Sequence, residues 1–114
     1  MNEPEPALFE PLEPGELKAR LDAGEKLTLI DVREPFEWEL ARIEGAKLMP
    51  LSQGNAWIPR IDPQGGPYAV ICHHGVRSAQ VCAYLARMGV KGCLNVSGGI
   101  DAWSRDVDPS VPRY

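Results

Sequence analysis

The chain of 114 residues has few cysteines and histidines. Its three cysteines are an odd number and none forms a Cys-x-x-Cys pair, which argues against a disulfide framework and for reduced thiols. There are only two histidines and they are adjacent, which, with no Cys-x-x-Cys pair, argues against a structural zinc site. We therefore expect no metal and no cofactor.

The sequence also lacks an excess of basic residues. Twelve lysines and arginines stand against sixteen acidic residues, which gives a net charge of −4. We therefore expect neither nucleic acid nor a membrane as a partner. Residues 1–6 lack the basic and apolar regions of a signal peptide, and no apolar run is long enough to span a membrane. These absences predict a soluble, cytoplasmic protein.

Short apolar runs alternate with helical patterns along the chain, as in one α/β domain. The predicted strands are residues 8–9, 27–32, 46–49, 68–71 and 93–96, and the predicted helices begin near Pro14, Pro35, Ser78 and Ile100. In the second helix, Phe36 and Leu40 are expected to contact the core. The strands are apolar on both faces, which predicts a mainly parallel sheet flanked by helices on both faces. We expect residues 1–7 to be flexible, 8–105 to form the domain and 106–114 to lie extended.

The segment Cys-His-His-Gly-Val-Arg-Ser, residues 72–78, follows the predicted strand 68–71 and precedes a helix. Sites in parallel α/β sheets form beyond the carboxyl ends of strands. The free N–H groups of such a turn and of the helix N-terminus favour an anion. Cysteine thiols have a pKa of about 8.5 and need such stabilisation to be thiolates at neutral pH. Cys72 is therefore the candidate nucleophile, although a buried core cysteine is the alternative.

The residues around Cys72 have roles that follow from their chemistry. Gly75 lets the backbone turn, through a positive φ if the turn requires it. Arg77 offers a permanent positive charge to an anionic substrate, and pairing with a neighbouring acid is the alternative. Ser78 is expected to cap the helix. The residues expected to bind substrate are His73, His74, Gly75, Val76, Arg77 and Ser78.

Two further segments are predicted to end at the same edge of the sheet. Asp31 and Arg33 end the strand before the loop, and an ion pair or hydrogen bonds between them would position the site. The turn at residues 97–99 follows the last strand. The other two cysteines, Cys82 and Cys93, are expected to be core residues.

The loop Cys72-His73-His74-Gly75-Val76-Arg77-Ser78 resembles the active-site loop of single-domain rhodaneses, which are sulfurtransferases. The further matching segments are Asp31-Val32-Arg33 with Glu37, Gly45-Ala46 with Pro50, and Gly98-Gly99 with Trp103, in the family's order. The resemblance implies a rhodanese-like fold and transfer of a sulfane sulfur through a persulfide on Cys72. The donor would be a small molecule such as thiosulfate, and the acceptor cyanide or a thiol.

Two other readings remain open. Cysteine phosphatases and arsenate reductases also use a thiolate in an anion-binding loop, but their usual pattern has five residues between cysteine and arginine. Here four residues separate Cys72 from Arg77, which favours a site for one sulfur atom. The second alternative is a sulfur-carrier or docking module that acts only with a sulfur-relay protein.

Overall fold

The computed structural model describes residues 9–114. All four pairings within its five-stranded sheet are parallel, in the order β1-β5-β4-β2-β3. The elements are β1 (Glu10–Leu12), α1 (Pro14–Asp22), β2 (Thr28–Asp31), α2 (Pro35–Leu40), β3 (Lys47–Leu48), α3 (Gly54–Trp57), β4 (Tyr68–Ile71), α4 (Val76–Arg87), β5 (Cys93–Val96) and α5 (Gly99–Asp106). The predicted α/β class with a parallel sheet is confirmed.

Each face of the sheet is covered by a separate hydrophobic core. Along β4, Ala69 and Ile71 enter one core, while Val70 and the following Cys72 enter the other. This alternation follows from the strand geometry, which points successive side chains to opposite faces. The first core includes Leu17 of α1 and Ile100 and Trp103 of α5, and the second includes Val81, Cys82 and Leu85 of α4. The prediction of helices on both faces is therefore also confirmed.

The first strand lies later in the chain than predicted. β1 begins at Glu10, so Phe9 precedes it, while Leu8 lies outside the described residues. The buried residue of this strand is Leu12, which pairs in register with Val96 of β5. Burial of Leu12 therefore fixes the position of the strand. The segment 1–7, predicted to be flexible, also lies outside the described residues.

The predicted core contacts of α2 are wrong. Phe36 and Leu40 are 69% and 52% exposed, and the buried residue of this helix is Glu37. Phe36 and Leu40 lie four residues apart on one side of the helix. The carboxylate of Glu37 instead points into the protein interior, because it pairs with Arg77 and accepts a hydrogen bond from the backbone N–H of Glu34. An ion pair, rather than an apolar stripe, sets the orientation of this helix.

The C-terminal segment 107–114 packs against the domain. α5 continues to Asp106, beyond the predicted short helix, and the segment we expected to lie extended contains a turn in which Val111 N donates to Asp108 O at 3.1 Å. Val111 is buried in the first core. This packing brings Tyr114 back to the sheet edge where β2 and β4 end. Within residues 9–114, no helix has both the length and the apolar character needed to cross a membrane.

Candidate active site

Three loops meet at the carboxyl edge of the sheet, as predicted. Asp31 and Ile71 are partners in the β2–β4 register, so both strands end side by side. The loop after β4 is bound to the start of α5, because Ile100 N donates to Cys72 O at 2.8 Å and Asp101 N donates to His73 O at 3.1 Å. The approach is so close that a Cβ on Gly99 would overlap both carbonyl oxygens. The loop after β4 therefore lies between the end of β2 and the start of α5.

The thiol of Cys72 lies at the end of β4 with only 1% of the residue exposed. Its Sγ accepts a hydrogen bond from Gly75 N at 3.1 Å and lies 3.3 Å from Ser78 Oγ. Helix α4 begins at Val76, four residues after the cysteine, so its positive N-terminal end is adjacent to the sulfur. The Gly75 N–H and the positive end of α4 suit a sulfur that carries negative charge.

The predicted cap of α4 is wrong. The helix begins at Val76 rather than at Ser78, and its N-cap is Gly75, with φ of 100°. Ser78 is the third helical residue, and its hydroxyl donates to Asn95 Oδ1 at 2.5 Å. The loop is tight enough to require a left-handed residue, and this requirement outweighs the preference of helices for serine at the N-cap. Ser78 therefore contacts the sulfur from within the first turn of the helix.

Asn95 of β5, whose role was not predicted from the sequence, ties the loop to the sheet. Its Nδ2 donates to Gly75 O at 3.2 Å, while its Oδ1 accepts from Ser78. The signal was present in the sequence, since Asn95 is a polar residue in an otherwise apolar strand. Asn95 fixes both residues that contact the sulfur of Cys72.

We expect Gly75→Ala to destabilise the protein by about 1 to 2 kcal/mol, because alanine is strained at a φ of 100°. The variant should also slow alkylation of Cys72 at neutral pH by about fivefold, because the shift of the backbone weakens the N–H bond to Sγ. Gly89→Ala is the matched control: φ is 93° there, and a Cβ would meet open space. It should show a loss of stability in urea unfolding that is no larger, since a Cβ at Gly75 also meets Gly98 N at 3.3 Å, and its alkylation should be unchanged. Equal alkylation rates in the two variants would contradict the role of the Gly75 N–H.

Arg77 is paired with Glu37, a residue for which the sequence predicted no role. Arg77 Nη1 and Nη2 donate to the two carboxylate oxygens of Glu37 at 2.6 and 2.9 Å. Glu37 is buried, while about a third of the Arg77 side chain is exposed. The hydrogen bonds from Arg77 lower the pKa of Glu37 from 4.5 to about 2. The pair is therefore ionised, and has no net charge, at neutral pH.

The depressed pKa of Glu37 predicts a loss of stability in acid. A folded-state pKa below the unfolded value stabilises the protein above pH 4.5, and this stabilisation is lost as the pH falls toward 2. We expect Glu37 to contribute about 2 kcal/mol to the decline in unfolding free energy between pH 5 and pH 3. Urea unfolding at both pH values should show a smaller decline in unfolding free energy for Glu37→Gln than for the wild type.

Glu39→Gln, an exposed change on the same helix, is the control, and its unfolding free energy should decline as that of the wild type does. A decline in Glu37→Gln as large as in the wild type would contradict the assignment.

Asp31 and Arg33 form a buried ion pair behind the site. Arg33 Nη2 lies 2.7 Å from Asp31 Oδ2, and Nε donates to Oδ1 at 2.9 Å. The same guanidinium donates to the carbonyls of Glu37 and Ala41 at 3.2 and 2.6 Å. Both carbonyls lie at the C-terminal end of α2, where helices have unpaired acceptors. Arg33 therefore fastens α2, and with it Glu37, to the end of β2.

Tyr114 connects the two ion pairs. Its hydroxyl donates to Glu37 Oε2 at 2.8 Å and accepts from Arg33 Nη1 at 2.9 Å. Burial raises the pKa of the phenol to about 12, so it keeps its proton. The ring stacks on His73 at 3.9 Å between centroids, and the backbone oxygen of Tyr114 lies 2.9 Å from His73 Nε2. No local pattern could have indicated these contacts, since they join residues up to 81 positions apart.

The two histidines lie beside the sulfur site with Asp101. The donor atoms of His73, His74 and Asp101 lie within 4.8 Å of one another. The imidazole rings are stacked at 3.9 Å, so their lone pairs do not converge on one point, and Asp101 is paired with Arg113 at 3.0 Å. Burial lowers the pKa of His73, which favours the neutral ring. These contacts give both histidines a part in the packing of the loop and the C-terminal segment.

The family model for the rhodanese-like domain matches residues 13–106. The chain belongs to the rhodanese-like domain family. This match covers strands β2 to β5, the loop after β4 and the helices on both faces, and it confirms the resemblance inferred from the sequence.

Relatives of this rhodanese-like chain are named as sulfurtransferases. It is 36% identical over 95 residues to a sulfurtransferase of Allochromatium vinosum, which covers 83% of this chain and 88% of that protein. It is 39% identical over 103 residues to MoeZ of Mycobacterium tuberculosis, a probable adenylyltransferase/sulfurtransferase, covering 89% of this chain but only 26% of MoeZ. The crystal structure of a rhodanese-related protein from Thermoplasma volcanium matches with a TM-score of 0.78 and 29% identity, covering 93% of this chain and all of that one.

Proposed function

We propose that the chain is a sulfurtransferase that carries a sulfane sulfur as a persulfide on Cys72. The observation that carries this proposal is the contact of Sγ with Gly75 N at 3.1 Å and Ser78 Oγ at 3.3 Å, beside the N-terminus of α4. The Gly75 N–H and the positive end of α4 suit negative charge on the sulfur, and the thiolate is the nucleophilic form of cysteine. Membership of the rhodanese-like family and the names of its relatives support the same activity.

The reaction would take place in two displacements. The Cys72 thiolate attacks the outer sulfur of thiosulfate, the S–S bond of thiosulfate breaks, and sulfite leaves with the bonding electron pair. The terminal sulfur of the persulfide is then attacked by cyanide or a thiolate. This step breaks the bond to Sγ, releases thiocyanate or a new persulfide, and restores the Cys72 thiolate.

Arg77 would bind the sulfonate end of the donor with the N–H groups that Glu37 does not use. A guanidinium has five N–H donors, and the ion pair occupies two of them. Asp31 and Arg33 would support the site indirectly, since Arg33 holds the end of α2.

We propose residues 8–105 as the limits of the domain that carries this function.

A thiosulfate:cyanide assay tests the proposal. Steady-state formation of thiocyanate should show double-displacement kinetics, as expected for a covalent intermediate. Formation of thiocyanate no faster than in buffer would exclude turnover with this donor. Hydrolysis of a phosphate ester that is fast and depends on Cys72 would instead support the phosphatase reading.

A sulfur carrier that acts only with a protein partner is the second candidate. The observation that favours it is the exposure of two apolar side chains next to the Glu37–Arg77 pair: Phe36 is 69% exposed and Val76 is 67% exposed. Apolar side chains at the rim of a site suit a protein surface better than a small ion. A carrier would gain sulfur from a persulfidated protein and would not turn over thiosulfate and cyanide.

A further inference from the structure

The environment of Arg77 differs from that of a free anion-binding arginine. Both of its terminal nitrogens donate to Glu37, in the bidentate geometry that makes arginine–carboxylate pairs strong. A substrate sulfonate would therefore meet a carboxylate already bound to the cation that should attract it.

The carboxylate of Glu37 is fixed by contacts on both of its oxygens. Besides Arg77, Oε1 accepts from Glu34 N at 3.1 Å, and Oε2 accepts from the Tyr114 hydroxyl at 2.8 Å. Tyr114 is in turn held by Arg33. Displacing Glu37 from Arg77 would require this whole set of contacts to rearrange, so the pair is a stable part of the site.

We propose that Glu37 determines donor specificity by neutralising Arg77, so that the site disfavours sulfur donors of high negative charge. The inference rests on the proposed sulfurtransferase function. Glu37 is a positioning residue here, since it acts on the donor through Arg77. The preferred donor class carries one negative charge or none on the group that leaves.

Two donors with the same chemistry and different charge test this inference. Thiosulfate is a dianion that leaves sulfite, and benzenethiosulfonate is a monoanion that leaves benzenesulfinate. In each case the Cys72 thiolate forms a bond to the outer sulfur, the S–S bond of the donor breaks, and its electron pair departs with the leaving group. The ratio of kcat/KM for the two donors therefore isolates the effect of charge from effects on the cysteine.

Glu37→Gln should raise kcat/KM about tenfold for thiosulfate and about threefold for benzenethiosulfonate, because a Coulomb energy is proportional to the donor's charge. Glutamine can still accept the hydrogen bond from Glu34 N. The change in ratio should shrink at high ionic strength, as salt screens the charges. A purely structural role for Glu37 would change both donors equally and would not depend on salt.

Glu39→Gln is the matched control, since it removes the same charge from an exposed position on the same helix. It should leave the ratio unchanged. Tyr114→Phe removes the hydroxyl that donates to Glu37 and accepts from Arg33, but it leaves the charge of Glu37 in place and should leave the ratio unchanged. Glu37→Met removes the same charge as Glu37→Gln and decides the question if Glu37→Gln does not fold.

The outcomes separate this inference from the function on which it rests. If the wild type gains sulfur from both donors and no Glu37 variant changes the ratio of kcat/KM, the inference is overturned and the proposed function stands. A ratio that Glu39→Gln changes as much as Glu37→Gln does would also overturn it. If the wild type gains sulfur from neither donor, the proposed function is wrong and the inference falls with it.

Discussion

Replacement of Cys72 by serine is expected to lower the rate of thiocyanate formation by more than about a thousandfold. A serine hydroxyl stays protonated at neutral pH and cannot form a persulfide, so the two-step route is lost. The contacts with Gly75 and Ser78 leave room for a side chain of this size, and folding should be retained. The measurement is thiocyanate formation at saturating thiosulfate, with circular dichroism to confirm the fold.

Cys82→Ala is the control for this prediction. Cys82 is buried in the second core, and burial raises the pKa of its thiol to about 12. Such a thiol is protonated at neutral pH, so its removal should lower stability and leave the chemistry intact. Activity in Cys72→Ser above about one per cent of the wild type would show that another group carries the sulfur.

Replacement of Arg33 by methionine is expected to lower the free energy of unfolding by about 3 to 5 kcal/mol. The Arg33 side chain is 0% exposed, and its removal leaves the Asp31 carboxylate, 1% exposed, without its cation. The carbonyls of Glu37 and Ala41 also lose a donor. Urea unfolding at neutral pH measures the change.

Two comparisons isolate the buried charge as the cause. Arg42→Met changes an exposed arginine that lies over the ring of Trp38, and should cost less than about 1 kcal/mol. Adding Asp31→Asn to Arg33→Met removes the unpaired carboxylate and should restore part of the lost stability. A loss in Arg33→Met no larger than in Arg42→Met would contradict the account of this ion pair.

The sequence was informative where a local pattern determines the structure. The apolar runs predicted four of the five strands to within two residues at each end, because a strand buried on both faces needs continuous apolar residues. The order of those strands along the chain then placed Cys72 and Asp31 at one edge of a parallel sheet. Both conclusions depend only on neighbours in sequence and on the topology of parallel sheets.

The sequence was less informative where distant residues compete for one position. Apolar periodicity assigned Phe36 and Leu40 to the core, but the ion pair with Arg77 turns Glu37 inward instead. Tyr114 reaches the site only because the segment after α5 folds back over it. Contacts between residues about 40 and 80 positions apart cannot be predicted from local patterns, although they determine the charge of the site.

The charge of the site is where the structure alters the functional interpretation most. Arg77 was expected to offer a free positive charge, and the alternative was a pair with a neighbouring acid. The structure contains that pair, with Glu37 as the acid. Any anionic donor must then rely on the loop N–H groups and the end of α4, together with the N–H groups of Arg77 that remain.

Formation of the persulfide itself tests the central claim most directly. The protein is incubated with thiosulfate, and its intact mass is measured before and after addition of cyanide or dithiothreitol. The account predicts that the wild type gains one sulfur atom, that the added mass lies on the peptide containing Cys72, and that either reagent removes it. A wild type that gains no sulfur, or a Cys72→Ala variant that gains as much, would contradict it.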